Sequence, residues 1–212
     1  MKNFQVIKHP LIERDISLLR DKATTSEDFR IVLRRLASLM VYEVTKDLKL
    51  NSNPVETPLE VTTGYSVADE VILVPVLRAG LGMVEAYLSL IPNAKVGHIG
   101  LYRDEATLKP VDYYAKFPPD LSGSFVILID PMLATGGSAS AAVSYLKARE
   151  ARNIRLNCIV AAPEGVRRLE KDHPDVYVFA AALDRELNKN GYILPGLGDA
   201  GDRIFGTHPK SR

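Results

Sequence analysis

The chain has 212 residues, 46% of them hydrophobic and 25% charged, the proportions of an ordinary globular domain with enough length to bury a substantial core. Its 27 Lys and Arg against 26 Asp and Glu leave a net charge of +1, so no global field draws it to nucleic acid or an acidic membrane, and any anion site has to be local. The single cysteine excludes an internal disulfide, no apolar run approaches a membrane span, and MKNFQVIKHP lacks the apolar centre of a signal peptide, so the expected location is the cytoplasm.

The N-terminal third reads as helical. In TTSEDF, Thr25 and Asp28 stand at capping-box-like spacing. Phe29, Val32, Leu33, Leu36, Leu39, Met40 and Val44 then mark one face at a 3.6-residue period, a stripe suited to core or a subunit interface. Val61 to Val67 follows as strand edges around Gly64. From residue 71 the pattern alternates. VILVPVL (71–77), AKVGHIGLY (94–102), FVILID (125–130), LNCIVAA (156–162) and VYVFAAAL (176–183) are strand-like. GMVEAYLSLIP, SASAAVSYLKAREAR and PEGVRRLEKDHP are helical. Short, continuously apolar strands alternating with amphipathic helices imply an α/β fold, a doubly wound and mostly parallel sheet, in a single domain over 1–212. Pro75 demotes its stretch from a regular central strand or marks that strand's functional end.

Two segments break the alternation. Residues 102–120 are polar, aromatic and punctuated by proline, which predicts a hairpin or loop projecting from the sheet. Residues 190–207 carry five glycines interleaved with Tyr, Ile, Leu and Phe, a mixture that predicts an ordered loop built for close approach. His9, His98, His173 and His208 lack metal-ligand spacing, so no zinc site is expected, and His173 belongs to a helix end stopped by Pro174. Cys158, inside an apolar strand, reads as a buried and inert thiol.

The chemistry concentrates in FVILIDPMLATGGSA (125–139). In open α/β sheets, ligands bind beyond the carboxyl ends of the strands, and ATGGSA sits at such an end before a helix. Glycines let backbone N–H groups converge, Thr135 and Ser138 add hydroxyls, and the helix N-terminus adds partial positive charge. The competing reading is a plain glycine turn with Ser138 as N-cap. Asp130 weighs against it: a carboxylate beside an anion cradle suits a ligand with hydroxyls at one end and a phosphate at the other, the shape of ribose 5-phosphate. A P-loop is excluded because no GK[ST] follows, and a dinucleotide fingerprint in GLGMVE lacks its third glycine.

These residues carry a resemblance. FVILIDPMLATGGSA resembles the phosphoribosyl-diphosphate signature of type I phosphoribosyltransferases. PVLRAGLGM (75–83) and YILPGLGDAGDRIFGT (192–207) narrow it to the uracil phosphoribosyltransferase family, over nearly the whole chain. Pro131 follows Asp130 where most of the superfamily has a second acid, the pattern usual in the uracil branch.

The resemblance implies a catalytic set of Arg78, Arg103 and Asp130. Phosphoribosyl diphosphate would be held by Arg78, Arg103, Asp130, Pro131, Met132, Leu133, Ala134, Thr135, Gly136, Gly137, Ser138 and Asp199, and uracil by Ile193, Gly198, Asp199 and Ala200. It also implies Mg²⁺, carried mainly by diphosphate, ribose hydroxyls and water rather than by direct protein ligands. A homodimer or homotetramer and activation by GTP complete the family pattern.

From the residues alone, Arg78 also reads as a surface ion-pair partner, although its place between a buried strand and Ala79-Gly80 favours a functional role. Arg103 in YRDE reads equally as a partner of Asp104 or Glu105, and nothing in the spacing assigns Lys109. Departure of diphosphate builds positive charge on the ribose, so cations at the leaving group and a carboxylate at the sugar are the useful catalysts. An alternative on the same fold is a regulator that senses phosphoribosyl diphosphate and binds nucleic acid. The retained PVLRAG loop and the near-zero charge oppose it.

Overall fold

The computed structural model describes residues 2–103 and 110–207, the side chains of 102–112 excepted. A short strand β1 (Phe4–Val6) leads to helix α1 (Pro10–Arg20). Pro10 sits at the helix start and His9 Nδ1 accepts the Leu11 N–H at 3.2 Å, a cap that the histidine's sequence context did not announce. Helix α2 (Ser26–Val44) begins as expected: Thr25 Oγ1 accepts the Asp28 N–H at 3.1 Å. Its predicted stripe is buried, with Leu39 half-buried against the same core.

Strands β2 (Leu50–Glu56) and β3 (Val61–Val67) pair antiparallel as a separate hairpin. Gly64 lies mid-strand opposite Asn53, so the turn is at 57–60 and not at the glycine. Then come β4 (Val71–Leu77), α3 (Leu81–Leu88), β5 (Lys95–Val96), β6 (His98–Arg103) and β7 (Pro110–Lys116). They are followed by β8 (Phe125–Ile129), β9 (Met132–Leu133), α4 (Gly137–Lys147), β10 (Asn153–Ala161), α5 (Pro163–Asp172) and β11 (Tyr177–Leu183). The chain closes with β12 (Glu186–Leu187), β13 (Ile193–Leu194) and α6 (Ala200–Phe205).

The main sheet runs β1-β11-β10-β8-β4-β6-β7, parallel throughout except for β7, which pairs antiparallel to β6. Successive residues of β8 feed opposite cores. Phe125, Ile127 and Ile129 pack with α1, α2 and α3, while Val126 and Leu128 pack with α4 and α5. Both faces are therefore covered, as continuous apolar strands require.

Pro75 does not weaken β4, which lies between β8 and β6 and is almost wholly buried. Gly97 N–H donates to the Leu73 carbonyl, so the donor that Pro75 lacks would face the break between β5 and β6. The missing hydrogen bond falls where the ladder is already interrupted. From β4 the chain winds outward through α3 to β6, and from β8 it winds the other way through α4 to β10. The crevice where winding reverses lies at the carboxyl ends of β4 and β8, the place where such sheets bind ligands.

Candidate active site

Asp130 follows the last residue of β8. Its N–H donates to the Asn157 carbonyl at 3.2 Å, and its Oδ1 accepts the Met132 N–H at 3.3 Å. Pro131 then breaks the strand, its carbonyl accepting from both Ile159 and Val160, and β9 resumes pairing with β10 in the same register. The acid is thus fixed where the ladder opens. Desolvation pushes the Asp130 carboxyl up to about 7, against the opposing pull of the Met132 N–H. Beneath it, buried Asn157 donates to the Tyr87 hydroxyl at 2.5 Å.

The turn after β9 enters α4 through Gly136, at φ 75° and ψ −1°. That left-handed backbone suits glycine, and a Cβ there would meet the Gly165 carbonyl of α5 at 2.8 Å. The cap makes no side-chain hydrogen bond, so Ser138 is not the N-cap: it lies in the first turn of α4, exposed. Thr135 Oγ1 accepts the Gly137 N–H at 3.4 Å. Leu133 is buried in the core under α4.

Arg78 follows β4 across a cis peptide from Leu77. A Cβ on Gly80 would meet the Ile129 carbonyl at 2.4 Å, so the Arg78–Gly80 loop packs on the end of β8 only because position 80 has no side chain. Arg78 itself is half-exposed. Its guanidinium lies 5.7 Å over the Phe205 ring, and Nη2 is 3.5 Å from Asp202 Oδ1, both on α6. Arg103 closes β6; its side chain, with Asp104, Glu105 and Lys109, lies outside the described residues, as does His208.

A cavity of about 270 Å³ joins the two predicted halves of the site. One wall is Asp130, Met132 and Ala134; the other is Ile193, Gly198, Asp199 and Ala200, completed by Ala79, Gly191, Tyr192 and Gly201. Pro131, Leu133, Arg78 and the turn 135–138 do not line it, although the Thr135 methyl lies 3.5 Å from where a Gly191 Cβ would stand. Asp199 has a structural task as well, because its Oδ1 accepts the Asp202 N–H at 2.9 Å and caps α6.

Sequence reading missed what holds the glycine-rich wall. Arg20 donates from both Nη groups to Asp184, at 2.8 and 2.5 Å, and also to the Gly196 carbonyl at 2.8 Å. Asp184 in turn accepts the Gly196 N–H at 2.8 Å. Buried Arg203 donates to the carbonyls of Leu19, Leu197 and Asp21. The signal available was an acid directly after an apolar strand, ALD at 182–184, the same pattern that exposed Asp130.

Among the described residues no three or more His, Cys, Asp or Glu side chains gather as a metal site. Asp130 at the strand end and Asp199 opposite it are the carboxylates that line the cavity. Burial raises the Cys158 thiol well above its usual range, as expected of an inert core residue. His173 forms the C-cap of α5, its buried ring Nε2 3.0 Å from the Ser140 carbonyl. No described helix is long and apolar enough to cross a membrane.

Comparison with known proteins agrees with this geometry. The family model described as uracil phosphoribosyltransferase matches residues 6–207. Proteins of that name from Finegoldia magna and Lactococcus lactis are 55% and 54% identical, each over 98% of this chain and 100% of its own length. A solved structure of an Aquifex aeolicus protein superposes with a TM-score of 0.90 at 38% identity, covering 95% of this chain and 97% of that one. The Trypanosoma brucei adenine phosphoribosyltransferase, at 14% identity and a TM-score of 0.59 over 90% and 88% of the two chains, shares the fold. A strand-end acid, a left-handed glycine turn and a glycine-rich wall thus meet in a chain that belongs to the uracil phosphoribosyltransferase family.

Proposed function

We propose that the crevice between β4 and β8 transfers the 5-phosphoribosyl group of phosphoribosyl diphosphate to uracil, giving UMP and diphosphate. The observation that carries this reading is the cavity itself, which sets Asp130 opposite a wall formed by residues 191–193 and 198–201. Uracil presents an acceptor, a donor and an acceptor along O2, N3–H and O4, an order that backbone N–H and C=O groups match without side chains. Cytosine reverses two of the three. Unpaired polar groups in a closed site would then exclude it by orders of magnitude.

The proposal also gives each residue a role. Ionised Asp130 accepts from the ribose hydroxyls and favours the positive charge that grows on the sugar as diphosphate leaves. The N–H groups of 135–138, at the start of α4, bind the 5-phosphate. Arg78 swings from Asp202 and Phe205 to the diphosphate, and Arg103 joins it from the end of β6. A bound Mg²⁺ would supply charge neutralisation at the leaving group, and Asp130 and Asp199 are the cavity carboxylates that would face it. Assembly as a homodimer or homotetramer is part of the proposal, supported by the β2–β3 hairpin, where Leu59 is 95% and Tyr65 70% exposed. GTP activation belongs to it too, and initial rates across a GTP titration test that.

A panel of bases with phosphoribosyl diphosphate and Mg²⁺ tests the reaction. UMP should form from uracil, with no nucleotide from orotate or hypoxanthine. Nucleotide from either of those, with none from uracil, would overturn the assignment at the base.

A further inference from the structure

Arg168, on α5, sits over the turn that the proposed function gives to the 5-phosphate. A Cβ built on Gly136 would lie 3.3 Å from Arg168 Cβ, and one built on Gly137 would lie 3.7 Å from Arg168 Nη1. The arginine's stem therefore packs on the turn, and its guanidinium hangs over the first residue of α4. Its Nε is 3.4 Å from Asp172 Oδ2, the same oxygen that accepts the Ser140 hydroxyl at 2.8 Å. Asp172 thus ties the arginine to α4 as well as to its own helix. Among the described residues the Nη groups make no hydrogen bond, and half of the side chain is exposed.

The sign of the charge is the informative part. The N-terminus of α4 carries the positive end of the helix dipole, so a cation placed there is repelled. An i,i+4 pair with Asp172 stabilises only slightly and does not explain why the guanidinium lies over that end. An anion held between the turn and the arginine reverses the sign of both interactions. We propose that Arg168 is a phosphate-binding residue of the phosphoribosyl site, reaching over Gly137 to donate from its Nη groups to the 5-phosphate of phosphoribosyl diphosphate and UMP. This rests on the turn being the phosphate site. It adds a side-chain cation from α5 to a cradle otherwise made of backbone and hydroxyl groups.

Calorimetric titration of UMP and of diphosphate tests it in four proteins: the unaltered chain, Arg168→Gln, Arg168→Lys and Arg167→Gln. Arg167, exposed at the next position, removes the same charge without touching the turn. Arg168→Gln should weaken UMP about tenfold, the loss of a charge-assisted hydrogen bond. It should leave diphosphate within twofold, and Arg168→Lys should recover part of the loss. Arg167→Gln should bind UMP as the unaltered chain does. Equal UMP affinity in Arg168→Gln, or an equal loss in Arg167→Gln, overturns the role of Arg168 while leaving the function intact. An unaltered chain that binds diphosphate and not UMP would instead bring down the phosphate-site reading, and this proposal with it.

Discussion

The two walls of the cavity are built by different physics. The wall proposed to hold the phosphoribosyl group comes from one continuous run, with Asp130, Met132 and Ala134 lining the cavity between β8 and the glycine turn that leads into α4. Its groups are placed by local chain geometry, a broken ladder and a left-handed glycine. The wall proposed to read the base, from Asp184 to Arg203, contains only two two-residue strands and the short α6. Its shape depends on side chains from far away. Arg20 reaches Asp184 across 164 positions, and Arg203 reaches the Leu19 carbonyl across 184. A wall made locally concentrates its chemistry in a few irreplaceable groups. One made at long range spreads its support over a polar network, and each member should matter less to turnover and more to one substrate.

The largest expected effect lies on the local wall. Asp130→Asn should lower kcat/KM by about 10²-fold or more, a loss of a few kcal/mol of transition-state charge stabilisation. The folded state holds the Asp130 proton more tightly than the unfolded chain, with a pKa raised to about 7 against 3.8. The group's favourable contribution is therefore full below the unfolded value and is lost as pH rises through about 7. At pH 8 the asparagine variant should melt several degrees above the parent, and that margin should shrink as pH falls through about 7 and close only near 3.8. Acidification through about 7 should also lower kcat/KM in the parent, with the limb at lower pH in kcat once cations surround the carboxylate. Near-normal turnover in folded Asp130→Asn would remove the contrast between the walls.

Next comes Gly136→Ala. Alanine at φ 75° costs about 1–2 kcal/mol, and its Cβ would press on the Gly165 carbonyl. KM for phosphoribosyl diphosphate should rise roughly 10–20-fold, by displacement of the turn's N–H groups. Gly137, by contrast, has only ordinary contacts around a built Cβ, the nearest at 3.6 Å. Gly137→Ala should be much milder. Steady-state kinetics on the pair separates backbone conformation from close approach, and equal effects would show that the left-handed residue is not what shapes the turn.

The difference in construction also explains what was legible in the sequence. Strands β4, β6, β8, β10 and β11, and the place of Asp130 at the end of β8, could be read because each lies within one periodic run and its adjoining turn. Pro75 left two readings open, and that the strand is not demoted depends on what the neighbouring chain does at Gly97, a tertiary fact. Gly64 misled because a glycine inside a two-sided, exposed hairpin looks like a turn. Arg168 and Arg20 left no trace: single arginines on amphipathic helices are indistinguishable from solvated ones until the fold sets them over a turn or beside Asp184. For the base wall, composition announced an ordered glycine loop but said nothing of its supports.

On that wall, Asp184→Asn should lower kcat/KM for uracil about tenfold while leaving phosphoribosyl diphosphate affinity within twofold. The amide still accepts from the Gly196 N–H, but Arg20 loses an ionised partner in a mostly buried setting. Removing one member of such a pair costs up to several kcal/mol. At about 2–4 °C per kcal/mol for a chain of this size, Tm should fall by roughly 5–10 °C. Kinetics with each substrate varied in turn is the measurement. A matching loss on phosphoribosyl diphosphate would mean that the network supports the whole crevice and not one wall.

The smallest effect, and the sharpest probe of the network's geometry, is Arg20→Lys. The charge is kept, so any change comes from shape. Arginine's planar fork meets both Asp184 oxygens and the Gly196 carbonyl at once. A lysine ammonium is a point charge on a shorter stem and cannot span all three acceptors. Gly196 would then keep its N–H bond to Asp184 and lose the bond on its carbonyl. The loop would gain freedom on the side that leads to Gly198 and Ala200, the backbone proposed to read uracil. KM for uracil should rise about threefold with kcat little changed, the pattern expected when substrate and transition state lose the same interaction. Combining Arg20→Lys with Asp184→Asn should cost less than the sum of the two, because they break one contact. Strict additivity would mean that Arg20 and Asp184 support the loop separately, and the base wall would then be held by Arg203 and the α6 cap rather than by a clamp on Gly196.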